Sequence, residues 1–325
     1  MRQIILDFPK QFEKGLELAR QIKVKGEFDN IVVSGMGGSA WPAEILTAWL
    51  NLSIHLYINR TYNLPHQTTK KTLAIFSSYS GNTEECLSNY EQALKKGLTM
   101  AAITSGGQLK ELCRKNNTPL VEIPSGLLPR MATGYIFSAL YSILANSGLI
   151  ENKSSEILAM AKNLKPAGQE NQGQKLAEKI KDKIPLIYTS DKLKVIGYIW
   201  KIKFNEGSES PAFANYFPEL NHNELEGMVH EKECQFHNKP IFHCFILKDS
   251  DDHPKIQKRM DLTAEILNET GLSTEIIDLA GQTLLEKLFS AILLADWASY
   301  YLAQEYGADP LADETIEGFK KRLKK

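Results

Sequence analysis

Short apolar runs alternate with longer amphipathic stretches along the first 150 residues of the chain. Apolar runs of four or five residues predict buried strands at 30–34, 54–58, 73–76, 100–104 and 120–123. Apolar residues at helical spacing predict helices at 8–24, 41–50, 83–95, 108–115 and 133–145. Strands that alternate with helices in this way favour a doubly wound α/β fold with a parallel sheet.

The second half repeats this alternation after a polar stretch at 151–183, which is predicted to hold one helix and a Gly/Gln-rich segment, Gly168–Gly173. Strands are predicted at 185–188, 240–247 and 273–278, and helices at 190–205, 253–268, 284–306 and 314–325. The similar order of elements predicts a duplicated α/β domain. We place the two domains at residues 1–152 and 153–325.

Composition and charge narrow the class of protein. The 325 residues are 43% hydrophobic and 24% charged, which is typical of a globular protein, and the net charge of −1 gives no reason to expect nucleic acid or an anionic membrane as a partner. No apolar run approaches the roughly 18–20 residues that span a bilayer, and the N-terminus lacks a signal-peptide core. The four scattered cysteines indicate free thiols in a reducing compartment. We therefore expect a cytoplasmic protein.

Two turns rich in glycine and hydroxyl side chains follow predicted strands, Gly35–Ser39 and Ser77–Glu85. Ligands of open α/β sheets bind beyond the carboxyl ends of the strands, and helix N-termini there hold anions. The second turn is either a phosphate cradle or a plain helix cap formed by Asn82 and Glu85. The first turn fits a dinucleotide fingerprint with Ala40 in the last position, but no acidic residue clearly ends the next strand, which disfavours a nucleotide.

Four charged or titratable residues are candidates for chemistry. Glu206 precedes a glycine just after a predicted helix, where a carboxylate can point into a cleft, although a helix-end glutamate is also common. His222 lies between two asparagines in a predicted loop, and histidine is the side chain that ordinarily gains and loses a proton near neutral pH, which suits proton transfer. Arg130 begins the apolar helix at 133–145 and Lys320 lies on the last helix. Each of the last three also fits an ordinary surface residue.

A metal site is not predicted. His230, Cys234, His237, His243 and Cys244 fall within a short span, but His243 and Cys244 are adjacent in a predicted strand and face opposite sides. The run from His230 lacks the second histidine of H-E-x-x-H.

Three segments together resemble a known family. They are Ser34-Gly-Met-Gly-Gly-Ser39, Ser78-Tyr-Ser-Gly-Asn-Thr83 and Phe217-Pro-Glu-Leu-Asn-His-Asn-Glu224. The chain is similar to the bifunctional phosphoglucose/phosphomannose isomerases, which have tandem sugar isomerase (SIS) domains. The second segment is shared by most SIS domains and marks sugar-phosphate binding, whereas the third is far more specific. The resemblance covers nearly the whole chain.

The resemblance implies an aldose–ketose isomerase that interconverts glucose 6-phosphate or mannose 6-phosphate with fructose 6-phosphate through an enediol, without a metal or other cofactor. It implies Glu206 as the base, Arg130 as the group that stabilises the enediolate, and His222, delivered from the neighbouring subunit of a homodimer, with Lys320 for ring opening. Because the next residue, Lys321, is also a lysine, the resemblance does not decide which of the two takes part in ring opening. The resemblance also implies that the C-terminal helix closes the active site. It implies that the phosphate is bound by a set of loop residues: Gly38, Ser39, Ser78, Ser80 and Thr83.

One position departs from the family pattern. Asp313 aligns where the dual-specificity enzymes can carry a threonine that helps to accept both C2 epimers, which leaves the balance between the two aldose phosphates open. Two alternatives remain. They are the isomerase half of a glucosamine-6-phosphate synthase-like enzyme, although the chain lacks the glutaminase cysteine, and a non-enzymatic sugar-phosphate-sensing SIS protein.

Overall fold

The computed structural model describes residues 1–229 and 241–323. The chain forms two compact units, which are Leu6–Leu164, and Met1–Ile5 together with Lys165–Lys325. Compactness does not locate the boundary of a duplication, so the domain division at residues 152 and 153 stays a prediction. None of the helices within the described ranges combines the length and apolar content needed to cross a bilayer.

The first unit is a five-stranded parallel sheet with flanking helices. After α1 (Arg2–Leu6), which begins in the second unit, the elements are α2 (Lys10–Leu18), β1 (Asn30–Ser34), α3 (Trp41–Trp49), β2 (His55–Asn59), β3 (Thr72–Ser77), α4 (Glu84–Lys96), β4 (Thr99–Thr104), α5 (Gly107–Lys115), β5 (Leu120–Glu122), α6 (Thr133–Asn146) and α7 (Ser154–Asn163). The strand order is β2-β1-β3-β4-β5, and every pair is parallel.

The strand order creates a switch point between β1 and β3. Both strands are buried throughout, as expected of apolar strands covered by helices on both faces. The chain leaves β1 for β2 on one side and then crosses to β3 on the other. Ser34, at the end of β1, pairs with Phe76 of β3, so the turns that follow these two strands meet at one edge of the sheet. This is the position where ligands of such sheets bind.

The second unit reproduces this plan with four strands. Its elements are α8 (Pro166–Ile180), β6 (Ile184–Ser190), α9 (Lys194–Gly207), β7 (Phe213–Phe217), α10 (Glu224–Val229), β8 (Phe242–Lys248), α11 (Pro254–Glu269), β9 (Thr274–Asp278), α12 (Leu284–Tyr306) and α13 (Glu314–Leu323). The parallel order β7-β6-β8-β9 repeats β2-β1-β3-β4 of the first unit. The predicted α/β fold class with two doubly wound parallel sheets is confirmed.

Three elements of the structure differ from what the sequence predicted. The segment Gly168–Gly173 is helical, inside α8, because α8 packs closely on α12: a Cβ atom at Gly173 would lie 2.2 Å from Cβ of Trp297. Strand β7 was not predicted, since it is an edge strand whose first two residues are exposed and which therefore lacks a continuous apolar pattern. The N-terminal helix is shorter than predicted and ends at Leu18.

Candidate active site

The two glycine-rich turns of the first unit contact each other at the switch point. The Oγ atom of Ser39 is buried and accepts a hydrogen bond from the backbone N–H of Tyr79 at 3.0 Å. The phenol of Tyr79 donates to the carbonyl of Pro124 at 2.9 Å and accepts from the N–H of Leu127 at 2.8 Å. Three loops are thus fixed to one another at the carboxyl edge of the sheet.

The turn Ser78–Thr83 presents its hydroxyl groups at the start of α4. The side chains of Ser78 and Thr83 are 2.8 Å apart at their oxygens, and Ser78 Oγ accepts from the N–H of Gly81 at 3.1 Å. Ser80 is exposed, and its Oγ accepts from the N–H of Asn82. This arrangement places three hydroxyl side chains in the turn that leads into a thirteen-residue helix.

The alternative of a plain helix cap by Asn82 and Glu85 was wrong. The residue before α4 is Thr83, and its side chain makes no capping hydrogen bond. Asn82 Oδ1 accepts instead from the N–H of Gln108, at 3.1 Å. The first N–H groups of a helix have no intrahelical partner, so those of α4 remain suited to an anion. Because Glu84 and Glu85 carry negative charge in the same turn, neutral donors must hold any phosphate there.

A glycine in this turn provides a first test. Gly81 has φ +69°, and a Cβ atom there would lie 1.8 Å from the carbonyl oxygen of Gly106. We expect Gly81→Ala to weaken the binding of inorganic phosphate at least tenfold, measured by calorimetry, because the turn must move. The matched control is Gly97→Ala, which has φ +64° but no atom within 4 Å of the added Cβ. Gly97→Ala costs only the backbone strain of about 1 kcal/mol. Equal phosphate binding by the two variants would contradict phosphate binding by the turn Ser78–Thr83.

Arg130 lies beside these turns, in a short 3₁₀ turn at Pro129–Met131. It was predicted to begin the apolar helix, but that helix, α6, begins only at Thr133. Gly38 packs directly on this turn, since a Cβ atom at Gly38 would lie 2.6 Å from the carbonyl oxygen of Pro129. Arg130 is 2% exposed. The first unit therefore brings Gly38, the hydroxyl turns and a buried guanidinium group to one edge of its sheet.

Glu206 belongs to the second unit. It lies in the last turn of α9, which extends to Gly207, and not just after the helix as predicted. Its side chain is partly buried. Gly207 packs against α12, because a Cβ atom there would lie 2.6 Å from the Oγ of Ser299. A rigid helix end, rather than a loop, positions this carboxylate.

His222 ends a 3₁₀ turn, Glu219–His222, where a loop was predicted. Its imidazole is exposed, whereas its neighbours are held in place. Asn221 donates to Thr263 Oγ1 at 2.9 Å, and Asn223 donates to Glu219 Oε1 at 2.9 Å. The turn is therefore fixed by its flanking amides while it presents the histidine outward.

The last two candidates lie on α13. The carbonyl oxygen of Asp313 accepts from the N–H of Glu317 at 3.0 Å, so Asp313 stands at the start of the helix. Lys320 Nζ lies 2.6 Å from Glu317 Oε1, and both side chains are about half exposed. None of the residues Glu314–Leu323 is buried. The choice between Lys320 and Lys321 stays open.

The loop of the second unit that corresponds to Ser78–Thr83 follows β8 and is acidic. Asp249 is fully buried and accepts from Lys287 Nζ at 2.5 Å and from Lys192 Nζ at 3.3 Å. Burial opposes ionisation of Asp249, but the hydrogen bond from Lys287 and the other contacts together lower its pKa. The lysines near this loop are thus bound to the chain's own carboxylates. The corresponding turn of the first unit, Ser78–Thr83, carries hydroxyl groups instead.

The described residues contain no cluster of three or more His, Cys, Asp or Glu that could hold a metal ion. His230, Cys234 and His237 lie outside the described residues, so the absence of a metal site stays a prediction. Cys86, Cys113 and Cys244 are buried free thiols, and burial raises the pKa of each of them.

His243 is buried, and its Nδ1 lies 3.0 Å from Ser273 Oγ. Burial lowers its pKa from 6.5 to about 4. Between these values the unfolded chain binds a proton that the folded chain does not, so stability present above pH 6.5 is lost as the pH falls towards 4. From pH 7 to pH 5 we expect this residue to account for a loss of about 1–2 kcal/mol, after allowance for solvent screening.

Urea unfolding at both pH values checks this expectation. His243→Asn, which keeps a polar atom near the Nδ1 position, should lose less stability between pH 7 and pH 5 than the wild type. The same substitution at the exposed His66 should leave the pH dependence unchanged. Equal pH dependence in all three proteins would contradict the assignment.

Comparison with solved structures identifies the fold. The crystal structure of tagatose-6-phosphate ketose/aldose isomerase from Escherichia coli superimposes with a TM-score of 0.70, at 15% identity, over 95% of this chain and 93% of that chain. The family model of the bacterial phospho-glucose isomerase C-terminal SIS domain matches residues 169–323. The second unit is therefore an SIS domain, and the first unit repeats its parallel-sheet plan.

Relatives of known name refine this class. The bifunctional phosphoglucose/phosphomannose isomerase of Caldicellulosiruptor bescii is 37% identical over 99% of this chain and 98% of that protein. The enzyme of the same name from Aquifex aeolicus is 31% identical, over 99% and 98%. The chain belongs to the bifunctional phosphoglucose/phosphomannose isomerase family. A more distant relative, named D-glucosamine-6-phosphate 4-epimerase, from Sulfolobus acidocaldarius, is 31% identical over 89% of this chain and 87% of that protein.

Proposed function

We propose that the protein is an aldose–ketose isomerase that interconverts glucose 6-phosphate and mannose 6-phosphate with fructose 6-phosphate. One observation carries the proposal: in a member of this family, the hydroxyl turn Ser78–Thr83 leads into a helix N-terminus without a side-chain cap, at the switch point of the sheet. We further propose that the reaction needs no metal or other cofactor, and that the enzyme is cytoplasmic.

The phosphate would be held by the first unit. The hydroxyl groups of Ser78, Ser80 and Thr83 and the first N–H groups of α4 can donate to phosphate oxygens without any added charge. Ser39 orders the turn through its hydrogen bond with the Tyr79 backbone. Gly38, which lets its turn pack against the backbone of Pro129 and Arg130, would contribute to the same phosphate site.

The proton transfer would use Glu206. In the open-chain aldose, a carboxylate takes the proton from C2 while O1 gains a proton, which gives the enediol. The O2 hydroxyl then loses its proton, and the carboxyl group, which can exchange its proton with solvent, delivers a proton to C1 to give the ketose. Returning the proton to either face of C2 from the ketose side gives glucose or mannose 6-phosphate. The Arg130 guanidinium would stabilise the negative charge that develops on the enediolate oxygens.

Ring opening would use His222 from the partner subunit of a homodimer, together with Lys320 or Lys321. The exposure of His222 on a fixed turn supports this proposal, because such a side chain is available to a second copy. We propose that α13 closes over the substrate, since none of its residues is buried within the chain. We also propose that Asp313 influences the choice between the C2 epimers.

An assay with both aldose phosphates tests this function. Purified enzyme with excess chelator should convert glucose 6-phosphate and mannose 6-phosphate to fructose 6-phosphate, measured by proton NMR. Turnover that requires glutamine as an ammonia donor would favour the synthase-like alternative. Tight binding of sugar phosphate without turnover would favour a sensor. Epimerisation of glucosamine 6-phosphate without aldose–ketose conversion would overturn the proposal.

A further inference from the structure

The carboxylate of Glu224 joins two neighbouring strands of the second sheet. Glu224 is the first residue of α10, and its side chain is partly buried. Its Oε1 accepts a hydrogen bond from the phenol of Tyr188, on β6, and its Oε2 accepts from the amide of Asn215, on β7. Tyr188 and Asn215 are paired across these parallel strands, so their side chains lie on the same face of the sheet. Each carboxylate oxygen thus receives a donor from a different strand.

The two donors are themselves held in place. Tyr188 is 2% exposed, and its ring packs edge-on against that of Phe217, with the ring centroids 6.2 Å apart. Burial raises the pKa of Tyr188, so the phenol keeps its proton and donates it. Oδ1 of Asn215 accepts from the N–H of Tyr216 at 2.9 Å, which directs the amide nitrogen of Asn215 to Glu224. The carboxylate therefore has a defined position relative to the sheet.

The segment that contains His222 is held on both sides. Glu224, two residues after His222, is bound to β6 and β7 as described. Asn221, one residue before it, donates to Thr263 Oγ1 at 2.9 Å and accepts from Arg259 Nη1 at 3.3 Å, and both of these partners belong to α11. The backbone at His222 is thus connected to the sheet on one side and to α11 on the other.

Stability alone does not require this arrangement at Glu224. A buried phenol needs one hydrogen-bond partner, which a single carbonyl oxygen supplies. Glu224 uses both of its oxygens and brings two strands together beside an exposed imidazole. Because an exposed side chain lacks packing that would fix its position, the precision of such a group depends on how firmly its backbone is held.

We propose that Glu224 is a positioning residue for His222. Its hydrogen bonds to Tyr188 and Asn215 fix the turn from which the imidazole reaches the sugar ring. Glu224 acts through this turn and not on the substrate. The inference rests on the proposed function, because that function assigns ring opening to His222.

Ring opening can be measured separately from proton transfer. Opening and closing the ring of glucose 6-phosphate exchanges its α and β anomers, and magnetisation-transfer NMR measures the rate of this exchange. In the variant Glu206→Gln the proposed proton transfer is blocked, so the exchange that this protein catalyses at saturating glucose 6-phosphate reports ring opening alone. The rate without protein is subtracted, and all variants are assayed well below their unfolding midpoints.

The substitution Glu224→Gln, added to Glu206→Gln, leaves one of the two donors facing an NH₂ group. We expect the catalysed exchange to slow about tenfold, because a small misplacement of a catalytic group is enough for such a loss. The Kd of glucose 6-phosphate should change less than threefold, since the phosphate is bound elsewhere.

A double substitution, Asn215→Asp with Glu224→Gln, restores the hydrogen bonds with the roles exchanged. The amide at position 224 donates to the carboxylate at position 215 and still accepts from Tyr188. We expect anomer exchange at least five times faster than with Glu224→Gln alone. The matched control is Glu226→Gln, at an exposed glutamate of the same helix, which should leave the exchange rate within twofold of its parent.

The outcomes separate this proposal from its foundation. Anomer exchange that is unchanged by Glu224→Gln, or no faster in the double substitution, would overturn the proposal. A loss of exchange matched by an equal rise in Kd, or an equal loss with Glu226→Gln, would show a merely structural role and overturn it as well. Undiminished exchange in His222→Asn would instead remove the proposed role of His222 itself.

Discussion

Replacing Glu206 with glutamine is expected to lower kcat for fructose 6-phosphate formation by about 10²–10⁴-fold, the range that a positioned general base contributes. The amide has nearly the shape of the carboxylate but cannot accept the C2 proton. Because Glu206 lies in the last turn of a rigid helix and is not among the proposed phosphate-binding residues, we expect KM to change less than threefold. Initial rates with both aldose phosphates give kcat and KM.

The control for this variant is Glu209→Gln. Glu209 is an exposed glutamate three residues further along the chain, beyond the end of α9. Its substitution should leave both kinetic constants within twofold of the wild type. Turnover by Glu206→Gln at an undiminished rate would exclude Glu206 as the base.

Two inactive variants are expected to regain activity when they share a dimer. If His222 acts in the partner's site, His222→Asn and Glu206→Gln each inactivate both sites of their own homodimer. In a mixed dimer, one site combines the intact Glu206 of one subunit with the intact His222 of the other. Random mixing makes half of the dimers mixed and half of their sites intact, so about a quarter of the wild-type rate should return.

The two variants are given different affinity tags and co-expressed, so that doubly purified protein contains only mixed dimers. This material should show about half of the wild-type turnover rate per dimer, because one of its two sites is intact. Doubly tagged dimers that remain as inactive as the parent variants would place His222 in the site of its own subunit. No doubly tagged protein at all would contradict the homodimer.

The sequence predicted most of the fold because its central strands are buried and largely apolar. In β1 and β3 every residue is buried, so local composition alone identified them and the two turns that follow them. The strand order that makes these turns neighbours could not be predicted from the sequence. Strand β7 was not predicted because an edge strand with exposed residues has no continuous run of apolar residues. The helical Gly168–Gly173 depends on close packing against Trp297, more than a hundred residues away, which no local pattern reveals.

In the candidate site as well, features formed by neighbouring residues could be predicted, whereas contacts between residues distant in the sequence could not. The turn Ser78–Thr83 could be found from its residues, but the choice between cap and cradle depended on a hydrogen bond from Gln108 to Asn82. The buried ion pair Lys203–Asp296 joins residues 93 positions apart and was missed. Its signal in the sequence was a lysine and an aspartate, each inside a largely apolar helix segment.

Solvent hydrogen exchange tests the central claim, proton transfer through Glu206, most directly. Fructose 6-phosphate is incubated with the enzyme in D₂O, and the products are analysed by NMR for deuterium at C2. The account predicts glucose and mannose 6-phosphates that carry deuterium at C2 with the wild type, and almost no product with Glu206→Gln. Products with only protium at C2, or equal deuterium incorporation by the two proteins, would contradict it.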